Sequence, residues 1–371
     1  MLKSYLYNLL KTKKTSFIGN IIKFFLLLLS YIYYLVIEIR ERLYFCGLLR
    51  ASKLDCKVIS IGNITLGGTG KTPMVEFLAK ELEKRGRRVA VLGQGYQRKA
   101  QSAKRKARNP STLYPLPSTH LLGDEGAFLK DKLRGIPLLI GRDRIKNGRE
   151  AIEKYKADTL ILDDSFQYQR LKRNLDIVLI DATHPFGNGY LLPRGFLREP
   201  LKSLNRADFF ILTKTNLAGE EEVSSLREKL TKRFPRIPFA EAEYKPIYLF
   251  DLLQNEKRDL KDLVSQEVGI FSAIGNPEAF RRTVESLCRV KSEVVFPDHH
   301  HYTLKDIREI IDICLEESIH IIVTTEKDAV KIKDFLHLFP DSLSLFSLEM
   351  KMEITRGKEK LNVAVNSAIF N

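Results

Sequence analysis

Cysteine is scarce in this chain. Its 371 residues hold four, Cys46, Cys56, Cys288 and Cys314, and no CxxC pair is among them. That argues against a disulfide framework and a zinc motif, and it fits a reducing compartment. No GxGxxG is present, so there is no dinucleotide fingerprint. No internal repeat or long low-complexity segment occurs. Acidic residues are the minority, 46 against 61 Lys and Arg, for a formal net charge of +15. Such an excess attracts nucleic acid, anionic lipid or phosphorylated substrates. Part of it is local: residues 1–50 carry eight basic and two acidic residues, and residues 98–108 carry six basic and no acidic ones. The 98–108 run lacks the interleaved aromatics of single-strand binders. It reads equally as a solvated loop or as a ligand contact.

What is there is a globular composition, 44% apolar and 29% charged. The length suggests two domains with a core large enough to need no cross-links. Near the start, "FFLLLLSYIYYLVI" (24–37) follows "FIGNII", with Asn20 and Lys23 interrupting. A bilayer span needs about 20 apolar residues, so this stretch could span, or lie in the interface with Tyr31, Tyr33 and Tyr34 at headgroup level. No small-residue cleavage site follows it, which argues against a signal peptide. A buried core helix is the plainer alternative. Lysines before the stretch and Arg40 and Arg42 after it favour an anionic membrane surface.

Short apolar runs then recur: "KVISIG" (57–62), "RVAVLG" (88–93), "IPLLIG" (136–141), "DTLILDD" (158–164), "DIVLID" (176–181) and "DFFILT" (208–213). Helix-spaced stretches separate most of them, which predicts an α/β fold with a parallel sheet covered on both faces. The polar stretch 214–235 predicts a hinge. A second α/β set follows, with strands at 267–274, 293–296 and 319–325 and a helix from about Pro277. The expected organisation is a membrane-associated segment 1–45, a nucleotide-binding domain 46–215 and a smaller α/β domain 225–371.

Between the first strand and the next helix lies "IGNITLGGTGKTP" (61–73). Glycines there let backbone N–H groups close around phosphate oxygens, and the helix N-terminus adds partial positive charge. Pro73 suits a first helical turn. This is the P-loop pattern, except that Thr65 stands where its first glycine usually is. Thr65, Leu66, Gly67, Gly68, Thr69, Gly70, Lys71 and Thr72 are the expected nucleotide-binding residues. Lys71 reaches the β and γ phosphates and Thr72 ligates Mg²⁺. "LILDDSF" ends a strand with Asp163 and Asp164, at the edge where the P-loop lies. Neighbours on a strand point oppositely, so only a bend lets both act. The expected roles are Asp163 on the metal and Asp164 in catalysis, with a helix cap as the plain alternative. "HLLGDEGAF" contributes Asp124. "FPDHHHYT" contributes His299, His300 and His301, either as an exposed turn, as metal ligands or with one acting in general-base catalysis.

These motifs occur together and in order: "GNITLGGTGKTP", "GYQRK", "GDEG", "DDSFQYQRLKRNLDIVLID", "GNGYLLPRGFLREP", "GNPEAF", "FPDHHHYT" and "TTEKDAVK". From about residue 57 to 331 the chain resembles the tetraacyldisaccharide 4′-kinase family of lipid A biosynthesis. The resemblance implies transfer of the ATP γ-phosphoryl group to the 4′-hydroxyl of a tetraacylated glucosamine disaccharide 1-phosphate, forming lipid IVA. It implies two α/β domains closing over ATP and Mg²⁺ at the cytoplasmic face of the bacterial inner membrane. No nucleic-acid partner and no obligate protein partner is expected. By position, Asp124 and His299 match the family's catalytic dyad, and Arg198 and Glu199 match the Arg and Glu of its LREP motif. Arg198 is therefore expected in catalysis and Glu199 on the metal. The chain departs from the family's usual pattern at Gln94, Ser165, Tyr168, Arg194 and Phe196. The competing readings are a P-loop NTPase switch acting on a protein partner and a basic nucleic-acid-binding protein.

Overall fold

The computed structural model describes residues 9–10, 12, 16–93, 126, 128–298 and 300–370. In chain order the elements are α1 (Phe17–Phe45), β1 (Lys57–Gly62), α2 (Lys71–Lys84), β2 (Val89–Gly93), β3 (Leu138–Ile140), α3 (Arg144–Tyr155), β4 (Thr159–Asp163), β5 (Leu175–Asp181), β6 (Phe209–Thr213) and α4 (Glu220–Arg233). They continue with β7 (Phe239–Asp251), β8 (Glu256–Arg258), β9 (Glu267–Ser272), α5 (Pro277–Glu285), β10 (Arg289–Val295), α6 (Leu304–Glu316), β11 (Ile321–Thr325), α7 (Glu326–Ile332), β12 (Ser344–Arg356) and α8 (Lys358–Phe370).

The chain forms two compact units. The first comprises 1–92, 143–243 and 353–371, and the second 93–142 and 244–352. Within the first, the strands run in the order β7-β6-β5-β1-β4-β2, and each neighbouring pair is parallel. Every residue of β4, β5 and β6 is buried, as expected of parallel strands covered on both faces. Helix α2 packs on β1 and β4, and α8 packs on β1 and β5. The chain leaves β1 for β2 on one side, returns to β4, and then crosses to β5 and β6 on the other side. Such a reversal of winding makes a crevice at the carboxyl ends of the strands.

The polar stretch expected to be a hinge is instead α4. Its Val223, Leu226 and Leu230 are buried, at the spacing that puts them on one helical face. They join a core cluster with Phe210 and Phe234, whose rings meet edge-to-face at 5.6 Å. The division of the chain also differs from segments 46–215 and 225–371, since α8 returns to the first unit and 93–142 groups with the second. Apolar side chains of α8, Leu361, Val365 and Ile369, are buried, and this contact brings the C-terminus back.

In the second unit β9 pairs in parallel with β10 and β11, and β11 with β12. One core cluster gathers Phe271, Ile307, Ile310, Ile322 and Leu345. Asp328 is fully buried there. It accepts from the Ala273 N–H at 3.0 Å and from Thr325 Oγ1 at 2.7 Å, and it pairs with Lys331 at 2.9 Å. A buried carboxylate needs such partners.

Candidate active site

The loop after β1 ends in Gly70, the N-cap of α2. Gly67 and Gly70 have φ of 117° and 87°, which a β-carbon disfavours, so the loop needs glycine at both. The free N–H groups of the first turn of α2 then face the crevice with the positive end of the helix dipole behind them. Pro73 lacks an N–H but sits where the helix has no use for one.

Three sets of contacts hold the loop. Asn63 is fully buried. Its Nδ2 donates to the Thr65 carbonyl at 2.8 Å and to Thr69 Oγ1 at 2.9 Å, and its Oδ1 accepts from Lys71 Nζ at 3.4 Å and from Arg198 Nη1 at 3.3 Å. From the end of β6, Thr213 Oγ1 donates to the Thr69 carbonyl at 2.9 Å. Lys214 Nζ donates to the Gly68 carbonyl at 2.6 Å and pairs with Asp181 at the end of β5. The third brace is the stretch 196–198. The Leu66 N–H donates to the Phe196 carbonyl at 2.8 Å, and the Arg198 N–H donates to the Ile64 carbonyl at 2.7 Å.

Asp163 closes β4, and the backbone then turns sharply, with Asp164 at φ 47°. This left-handed conformation is uncommon for a residue with a side chain and clusters at functional sites. It supplies the bend that the two adjacent carboxylates require. Asp164 Oδ1 accepts from Arg198 Nη1 at 2.6 Å and lies 3.7 Å from Lys71 Nζ. Burial alone would push the Asp164 carboxyl up, but Lys71 and Arg198 outweigh it and hold the group below its usual range. Asp164 is therefore ionised at neutral pH.

The turn is held from beneath by Arg144, the first residue of α3 and almost fully buried. Its guanidinium donates to the carbonyl of Asp163 at 2.7 Å and to that of Asp164 at 3.2 Å, and it also donates to Ser165 Oγ. It lies 5.1 Å from the centre of the Tyr168 ring, within cation–π range. Two of the departures, Ser165 and Tyr168, thus meet at one buried cation. A third, Phe196, lends its carbonyl to the P-loop. Arg194 lies over the Tyr190 ring at 4.4 Å.

The structure gives Glu199 a setting other than the metal role expected for it. The side chain is 1% exposed. One carboxylate oxygen accepts from Arg40 at 2.7 Å and the other accepts from Arg206. Burial pushes its carboxyl up, against the pull of Arg206 and Arg40. Among the described residues, no cluster of three or more His, Cys, Asp or Glu is arranged to hold a metal. Asp124, His299 and Gln94 lie outside the described residues. His300 is engaged elsewhere, since its Nε2 lies 3.0 Å from Asp306 Oδ2, which also caps α6, and its ring stacks on Phe296.

Asn63, Arg144, Asp181, Thr213 and Lys214 join the site without being expected there. For Asp181, Thr213 and Lys214 the available signal is position, at or just past the carboxyl ends of the apolar runs 176–181 and 208–213.

Helix α1 docks on the same unit. Ser30 Oγ accepts from the Arg194 N–H at 3.0 Å and lies 2.9 Å from the Leu191 carbonyl. Tyr33 Oη donates to the Arg198 carbonyl at 2.8 Å, and Glu41 accepts from Ser203 Oγ at 2.7 Å and from Arg206. Phe25, Leu29, Ile32 and Val36 are at least half exposed. The helix is inside out for a soluble protein, with its hydrogen-bonding face docked and its apolar face outward. Among the described residues it is the one helix long and apolar enough to cross a bilayer by length and composition.

A glycine-rich loop opening a helix, with a lysine and an arginine converging on an ionised aspartate at the carboxyl edge of a parallel sheet, defines a P-loop α/β phosphotransferase. Residues 22–369 match the family described as LpxK, tetraacyldisaccharide-1-P 4′-kinase. The chain belongs to this family. It is 37% identical to the tetraacyldisaccharide 4′-kinase of Halothermothrix orenii over 98% of this chain and 97% of that one. It is 38% identical to that of Syntrophus aciditrophicus over 90% of each. The crystal structure of LpxK from Aquifex aeolicus in complex with ATP aligns with a TM-score of 0.69 at 31% identity, covering 94% of this chain and 99% of that one.

Proposed function

We propose that this chain transfers the γ-phosphoryl group of ATP to the 4′-hydroxyl of a tetraacylated glucosamine disaccharide 1-phosphate, giving lipid IVA in lipid A biosynthesis. The observation that carries the reading is the convergence of Lys71 and Arg198 on Asp164 beside the P-loop. The P-loop N–H groups and Lys71 bind the phosphates, and Arg198 offsets charge that develops on the transferring group. Thr72 and Asp163 offer hard oxygen donors of the kind Mg²⁺ prefers, so they suit that ion. When bound, Mg²⁺ supplies charge neutralisation between phosphate oxygens. Asp124 takes the proton of the attacking hydroxyl, oriented by His299, as the new P–O bond forms and the bond to the ADP oxygen breaks.

An acylated acceptor is met at a lipid surface. The outward apolar face of α1 and the basic residues before it in the sequence support attachment to the cytoplasmic face of the bacterial inner membrane, with that face in the lipid. The triple variant Phe25→Glu/Leu29→Glu/Val36→Glu should lower the fraction sedimenting with anionic liposomes about tenfold or more, with little change in melting temperature. Unchanged sedimentation would place the anchor elsewhere. Release of ADP should depend on the acylated disaccharide 1-phosphate. ADP release that ignores the lipid but rises with an added protein would favour an NTPase switch instead.

A further inference from the structure

Two successive residues of the site, Arg198 and Glu199, are gripped by one helix. Tyr33 Oη donates to the Arg198 carbonyl at 2.8 Å, and Arg40 Nη2 donates to Glu199 Oε1 at 2.7 Å. Tyr33 and Arg40 are seven residues apart, two turns along the docked face of α1. The second Glu199 oxygen is taken by Arg206, which is itself bound to Glu41 of the same helix. On the other side, the Arg198 N–H is tied to the Ile64 carbonyl beside the P-loop. The backbone of Arg198 is thus clamped between α1 and the P-loop, and its guanidinium leaves that clamp to meet Asp164 at 2.6 Å.

We infer that α1 is part of the phosphoryl-transfer site as well as an anchor: Tyr33 and Arg40 are positioning residues that hold Arg198 against Asp164. The inference rests on the phosphotransferase reading above. Its physical basis is preorganisation. A long, flexible cation stabilises developing charge only when its backbone is fixed and its side chain has one direction to take. Glu199 is the fixing point, because a buried carboxylate stays ionised and in place only while its partners are present. Removing Arg40 strips one oxygen of its partner, and the 198–199 peptide must shift to recover one. Removing the Tyr33 hydroxyl frees the Arg198 carbonyl without touching any charge.

The test uses the full chain in mixed detergent micelles, with ATP, Mg²⁺ and the tetraacyldisaccharide 1-phosphate. Tyr33→Phe is expected to lower kcat about threefold to tenfold, and Arg40→Ala about tenfold to a hundredfold, less than the about 10²–10³ lost when a charge-stabilising donor is itself removed. KM for the lipid should be unchanged, and so should sedimentation with anionic liposomes, because both side chains lie on the docked face. Arg40→Lys should recover part of the loss. The decisive readout is coupling. In an Arg198→Ala background neither substitution should lower kcat by more than about twofold, since residues acting through one group are not additive. Single variants within about twofold of the parent, or losses that multiply with Arg198→Ala, would overturn the inference. If Arg40→Ala fails to fold, Tyr33→Phe, which removes one oxygen atom, decides alone. A parent protein that transfers no phosphate would overturn the phosphotransferase reading and this inference with it.

Discussion

Lys71→Ala is expected to lower kcat about a thousandfold while the protein stays folded. Lys71 is the first residue of α2, partly exposed, with its ammonium 3.7 Å from Asp164 and 3.4 Å from Asn63 Oδ1. It carries none of the core packing of α2, which falls to Met74, Val75, Leu78, Ala79 and Leu82. Its loss therefore touches stability little. What it removes is the cation that a P-loop places on the transferring phosphates, where a single stabilising group is worth about 10²–10³ in rate. The check is kcat with the melting temperature measured alongside. Turnover near that of the parent in a folded Lys71→Ala protein would contradict a phosphate-binding role for this loop.

Asp164→Asn should cost about 10²–10³ in kcat, on the same scale. The carboxylate holds Lys71 and Arg198 together, 3.7 Å and 2.6 Å away. An amide keeps the shape but leaves two like charges with nothing between them. The pH profile gives a second readout. Folding holds the Asp164 carboxyl below its ordinary value because Lys71 and Arg198 outweigh its burial. The depressed value means that the stability from this ion pair is present above the unfolded pKa and is lost as pH falls through the folded one. The parent should therefore lose more stability than Asp164→Asn on going from neutral pH to below the usual Asp range, about 3.9. Equal losses in the two proteins would show that the pair does not hold the carboxylate in its charged form.

The parts of the site that lie close together along the chain are legible from the residues alone. Lys71, Thr72 and the glycines of the P-loop announce themselves because strand, loop and helix start fall within a dozen residues. The pairing of Asp163 with Asp164 is legible too, together with the need for a bend, which the left-handed Asp164 supplies. Arg144 is not legible. It reaches Asp163, Asp164 and Ser165 from another element, and nothing in its own neighbourhood marks it as buried. Glu199 is expected on the metal because the resemblance matches it to the Glu of the family's LREP motif. The structure turns it instead toward Arg40 and Arg206, and the first of these contacts spans about 160 residues, so no local pattern reveals it. The hinge expected at 214–235 fails for a different reason. Charge hides the stripe of Val223, Leu226 and Leu230, the feature that decides helix packing. Helix α1 shows its apolar length plainly, but the inverted arrangement of its faces depends on which side docks.

The central claim concerns the acceptor, and one measurement meets it directly. Purified protein is incubated with ATP, Mg²⁺ and tetraacyldisaccharide 1-phosphate in detergent, and the lipid is recovered for mass spectrometry with fragmentation. The expected result is a lipid heavier by one phosphate, with the added group on the distal sugar at the 4′ oxygen, and no such product from Lys71→Ala. A lipid of unchanged mass while ATP is consumed, or a phosphate placed elsewhere on the acceptor, would contradict it.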